Sequence, residues 1–182
     1  MSLEYLATAA APRRWPVRLL AGVVAVVGVV ALAFVWWSES VRRDTNEALA
    51  AAVARAEDEA RVGEARVLST LTYASPLIWS TSVGDDVRAG LRGVVEQSAR
   101  DVTVRLDTLA REVTATTVLP WQSAQHDARG DVLALVTAQR ERFEAIAMDA
   151  RAIAVVLATP GPSSDAARAA LRASGADEPA ER

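Results

Sequence analysis

The chain has no cysteine, so disulfides and thiolate metal ligands are excluded and stability rests on packing alone. It has no lysine either, since all 20 basic residues are arginine. Its one histidine, His126, has no constellation of Asp or Glu beside it, and such a lone imidazole is ordinarily a surface residue. Without a second histidine the common His-based zinc sites are not expected. Aromatic residues make up only 5% of the chain, against 51% hydrophobic residues overall. Cores built from Ala, Val and Leu with so few rings suit thin interfaces between helices better than a thick globular interior. No GxSxG elbow or SxxK pair presents a nucleophile, and Asp85-Asp86 falls far short of a calcium loop. Runs such as Arg140, Glu141, Arg142 and Glu144 read as the solvated face of a helix. No enzyme, cofactor or metal chemistry is therefore expected.

Acidic residues slightly outnumber basic ones, for a net charge of -3. No basic stripe follows any helix, and a phosphate backbone requires one, so nucleic acid is not an expected partner.

What the chain does have is one long apolar run. From Leu19 to Trp37 it reads LLAGVVAVVGVVALAFVWW, without a charged side chain. About 20 apolar residues cover the roughly 30 Å hydrocarbon layer of a bilayer. Trp15 stands before the run, and Trp36 and Trp37 close it, where indole rings favour the headgroup zone. Residues 15–37 are therefore expected to span the membrane, with the lipid bilayer as a partner. A cleaved signal peptide is the competing reading, because Arg13 and Arg14 precede the run and Ala31-Leu32-Ala33 resembles a cleavage site. A cut there would leave Phe34, Val35, Trp36 and Trp37 as an apolar new terminus, which favours the anchor. Arg13, Arg14 and Arg18 on one side face Arg42 and Arg43 on the other. The positive-inside rule then places residues 1–14 in the cytoplasm and the large C-terminal part outside it.

Beyond Trp37 the expected fold is all-α: the spanning helix continues outward into an extended antiparallel three-helix, coiled-coil-like bundle over residues 38–160. The predicted helices cover about 38–74, 86–118 and 120–158. The first carries small or apolar residues at Leu49, Val53, Ala56, Ala60, Gly63 and Val67, a 4-3-4-3-4 seam. Ser75-Pro76 should stop it, because proline disfavours a helical residue before it. Asp85 or Asp86 should cap the second helix, with an apolar stripe through Val87, Leu91, Val94, Val102, Leu106, Leu109 and Val113 interrupted at Ser98. Thr116 or Thr117 is the expected cap of the third, with Pro120 in its first turn; a later start after Gly130 is the alternative. Its seam runs Gln139, Phe143, Ile146, Ala150, Ile153 and Leu157. Residues 161–182 read as a flexible tail with room for a short helix from Ser163 to Ser174 and a disordered end.

Two short stretches invite contact. SPLIWS, residues 75–80, puts Leu77, Ile78 and Trp79 in the corner farthest from the membrane. Either these residues seal the end of the bundle or they form a partner or self-association contact. Trp121 lies in the corner that returns toward the membrane, where it either reaches the headgroups or plugs the bundle. The expected role is a structural, adaptor or accessory subunit of a cell-envelope complex. The alternative is a sensor ectodomain that binds a small ligand between helices near Ser98 and Gln139 and signals through a partner subunit.

Overall fold

The computed structural model describes residues 15–78, 82 and 84–176, with the side chains of 15–19, 74, 75 and 78 outside that description. It is all-helical, without strands among the described residues: α1 Trp15–Ile78, α2 Asp85–Ala115, α3 Ser123–Met148, a 3₁₀ turn at Ala150–Ala152, α4 Ile153–Ala158 and α5 Asp165–Ala173. Two compact units divide the chain between Ser40 and Val41.

In the first unit every described side chain from Leu20 to Trp37 is exposed. Apolar residues line all sides of this part of α1, up to 75% exposure at Trp36. A helix that is apolar all round has no solvent-facing side for water, and this one is long and apolar enough to cross a membrane. Near its end the rings of Phe34 and Trp37 lie 5.9 Å apart and tilted.

The second unit has a continuous core. All six seam positions of α1, from Leu49 through Val67, are buried as the spacing predicts. Phe143 of α3 is the one aromatic among the described buried residues. It fits because Gly63 opposite it has no side chain: a Cβ there would lie 2.9 Å from Phe143 Cζ and 2.8 Å from Val102 Cγ2. The glycine costs about 1 kcal/mol of helix propensity and admits the largest core side chain in exchange. Ion pairs flank the core, with Arg55 on Glu112 at 2.7 Å, Arg105 on Glu59 at 2.8 Å and Arg140 on Asp107 at 3.2 Å.

Six expectations need correction. α1 does not stop at Ser75-Pro76 but runs through Pro76 to Ile78. Proline there is followed by only two helical residues, so its missing N–H disturbs the last turn alone. In α2 the seam is Val95, Ala99, Val102, Leu106, Leu109 and Val113. Val87 and Val94 are exposed, and Ser98 lies beside the seam with its hydroxyl donating to the Val94 carbonyl. The adjacent pair Val94-Val95 allows two frames, and only the helices packed on α2 decide between them. The cap of α2 is Gly84 without a side-chain bond, while Asp85 and Asp86 sit in its first turn, where carboxylates favour the exposed N–H groups.

α3 starts at Ser123 rather than near Thr116 or after Gly130. Thr116 instead ends α2, and the Gln122 side chain accepts from the Leu119 N–H to close the corner around Pro120. The helix expected to continue to 158 breaks at Asp149, which is extended at φ -148 and ψ 114 and whose carboxylate accepts from the Arg151 N–H. Asp offers the backbone a local alternative to the helical ladder, a choice no spacing of apolar residues reveals. The seam survives the break, since Gln139, Phe143, Ile146, Ala150 and Ile153 are all buried and Leu157 is half-buried.

The short helix expected between Ser163 and Ser174 is present as α5, and the segment around it, expected as a flexible tail, is part of the fold up to Ala176. α5 buries Ala167 and Leu171 in the common core. It ends in a Schellman cap, with Gly175 at φ +81 and the N–H groups of Gly175 and Ala176 donating to the carbonyls of Arg172 and Leu171.

Candidate functional site

Of the contact residues read from the sequence, Leu77 is exposed on the last turn of α1. The side chain of Ile78 and all of Trp79 lie outside the described residues, as does the side chain of Trp15. Trp36, Trp37 and Trp121 are all exposed. Trp121 sits on the corner between α2 and α3, whose Thr117 carbonyl accepts from the buried Thr45 hydroxyl at 2.7 Å. His126 is half-buried, with Nδ1 3.4 Å from an Arg129 nitrogen. Among the described residues no group of three His, Asp or Glu could hold a metal ion.

The apolar surface near the α1–α2 corner is larger than SPLIWS alone suggests. Among the described residues the last fully buried positions toward this end are Val67 on α1 and Val95 on α2. Beyond them Leu68, Tyr73 and Leu77 are exposed on α1, and Val87 and Val94 on α2, with Tyr73 reaching 84%. Val87 and Val94 were legible as apolar but were assigned to the core. Their spacing of seven repeats the seam of one helix face, and burial of a neighbouring face leaves this one open.

Two polar constellations were missed by sequence reasoning. The first is a buried knot at the end of α5. The Ser174 carbonyl accepts from Arg42 Nη1 at 2.9 Å, Asn46 Nδ2 at 3.2 Å and Gln125 Nε2 at 3.1 Å. The Ser174 hydroxyl lies 2.9 Å from Asn46 Oδ1 and 2.7 Å from the Leu171 carbonyl. This carbonyl is at the negative end of the α5 dipole, so a guanidinium and two amides are fitting partners. Their separation in sequence, 132, 128 and 49 residues, hides them from any local pattern.

The second is a groove between α1, α3 and the segment after α4, lined by Glu57, Arg61, Glu64, Gln139 and Arg142 among others. Glu57 accepts from Arg168 of α5 at 2.6 Å. Burial raises the Glu57 carboxyl, but hydrogen bonds from Arg168 and Ser164 and the Arg168 charge outweigh it, holding the group below its ordinary value. Gln139, one of the two residues near which the alternative reading places a small ligand, is buried here; Ser98, the other, does not line the groove.

No protein-family profile matches the chain, and comparison with curated proteins and solved structures found no similar one. Among the described residues the fold is all-helical, with one helix long and apolar enough to cross a membrane.

Proposed function

We propose that the chain is a single-pass membrane protein whose C-terminal part, on the outer side, is a structural or adaptor subunit of a cell-envelope complex. The fully exposed apolar helix from Leu20 to Trp37 supports the anchor, and the arginines at 13, 14 and 18 support a cytoplasmic N-terminus. Within the second unit the proposed arrangement is an antiparallel three-helix bundle. Its support is that pairings run in opposite directions along successive helices: Arg55 with Glu112 and Glu59 with Arg105, then Asp107 with Arg140 and Arg100 with the Ala147 carbonyl.

One observation carries the adaptor role: the apolar residues left uncovered past the end of the core, Tyr73 and Leu77 on α1 and Val87 and Val94 on α2. Exposed apolar residues gathered at one end of a packed core are a usual mark of an interaction site. A photo-crosslinking residue at position 77 or 94, activated in intact membranes, should yield a discrete adduct with another envelope protein or a second copy. Absence of any adduct from both positions, with a control position on the same protein crosslinking to itself, would remove this reading.

The sensor reading keeps one supporting observation, the buried Gln139 with an unpartnered amide oxygen beside the groove.

A further inference from the structure

The groove at Gln139 is a shallow cleft largely open to solvent; its volume of about 540 Å³ is nonetheless within the roughly 300–1,000 Å³ typical of small-molecule sites. Its floor is one turn of α3. Gln139 is 5% exposed and its Oε1 has no hydrogen-bond partner. One turn on, the Arg142 side chain is 11% exposed. Its Nη2 is drawn toward Glu64 of α1 and the Val156 carbonyl of α4, each at 3.0 Å, which leaves Nε and Nη1 unpartnered. All three orphaned polar atoms belong to residues that line this groove. The chain brings Gly161 across this floor so closely that a Cβ on it would lie 2.6 Å from Arg142 Nη1.

The charges around the groove are balanced and paired among themselves, with Glu57 on Arg168, Glu64 on Arg142 and Arg61 on Asp58. A simple anion meets two carboxylates there and a simple cation meets two guanidinium groups. A molecule with both charges meets a complement to each. The orphaned atoms ask for the same mixture, since Gln139 Oε1 lacks a donor and Arg142 Nε and Nη1 lack an acceptor.

We propose that this groove binds a small zwitterion of the free α-amino acid class, its ammonium toward Gln139 Oε1 and Glu64 and its carboxylate toward Arg142 and Arg61. The Thr159–Gly161 strap over Arg142 shifts to let the carboxylate reach Nη1. This inference goes beyond the adaptor reading and stands or falls without it, because binding is measured on the protein alone.

The test uses the full chain in phosphatidylcholine nanodiscs, with each of the common L-amino acids titrated singly and the melting of the helical signal followed. At least one should raise the melting temperature in a saturable way. Gln139→Leu removes the orphaned acceptor, so it should melt no lower than the parent without ligand and should lose the ligand-dependent rise. Arg61→Gln changes only a surface position and should move the titration midpoint several-fold, which keeps the test decisive if Gln139→Leu misfolds. Should no amino acid shift the melting of the parent protein, the proposal is overturned. A rise that persists unchanged in both variants would place the binding elsewhere and overturn it equally.

Discussion

Gly63 of α1 and Phe143 of α3 occupy one space in the core: a methyl group added at Gly63 would lie 2.9 Å from Phe143 Cζ, and Phe143 itself is 1% exposed. The pair sets how closely the two helices approach. Phe143→Ala should destabilise the detergent-solubilised chain by about 3–5 kcal/mol, the usual range for a fully buried ring. Gly63→Ala should also lower the melting temperature, although alanine is the better helix former by about 1 kcal/mol. In a Phe143→Leu background, where the para carbon is gone, the same methyl should cost less. Non-additivity of roughly 0.5–3 kcal/mol is expected for side chains in contact; additive effects would show that they do not compete.

The corner of SPLIWS separates two roles by one pair of measurements. With Leu77 exposed, the expectation is that Trp79→Ala, alone or with Leu77→Ala, leaves the melting curve unchanged and abolishes crosslinking to a partner or second copy. A fall in melting temperature with crosslinking intact would make the stretch a lid on its own bundle.

For topology, protease added to spheroplasts should digest the part after residue 38 and leave the apolar helix protected in the membrane. The mature N-terminus should precede Trp15. A mature N-terminus at Phe34 would establish a cleaved signal peptide instead.

The attachment of α5 should depend on pH. Glu57 is held below its ordinary value in the folded state, so its contribution is present above 4.5 and is lost as pH falls below that value. Amide exchange of residues 165–173 should accelerate on acidification through this window, relative to α2 and α3. Glu57→Gln should remove that pH dependence while leaving exchange in α2 unchanged. The effect should be small, within about 1 kcal/mol, as for other partly exposed ion pairs.

The knot at Ser174 should matter more. Asn46→Ala removes two buried hydrogen bonds at once, one to the Ser174 carbonyl and one from the Ser174 hydroxyl. A loss of about 1–3 kcal/mol is expected. α5 should become exchange-labile at neutral pH with the rest of the core still protected; equal loosening of all helices would assign the knot to the whole unit rather than to α5.

The helical class, the apolar helix and the core face of α1 were determined by the sequence itself. A run of 19 uncharged residues needs no partner to be recognised, and the six seam positions of α1 repeat with the period of a single helix face. The end of α3's seam was legible for the same reason, even across the break at Asp149. What only the tertiary structure decided depends on groups distant in the chain. Val95 rather than Val94 entered the core because neighbouring helices chose the frame. The short α5 is amphipathic by pattern, but its place was set by Arg42, Asn46 and Gln125, which meet the Ser174 carbonyl from far along the chain. The groove likewise joins α1, α3 and the strap at Gly161, and local periodicity carries no information about which charges such a meeting brings together.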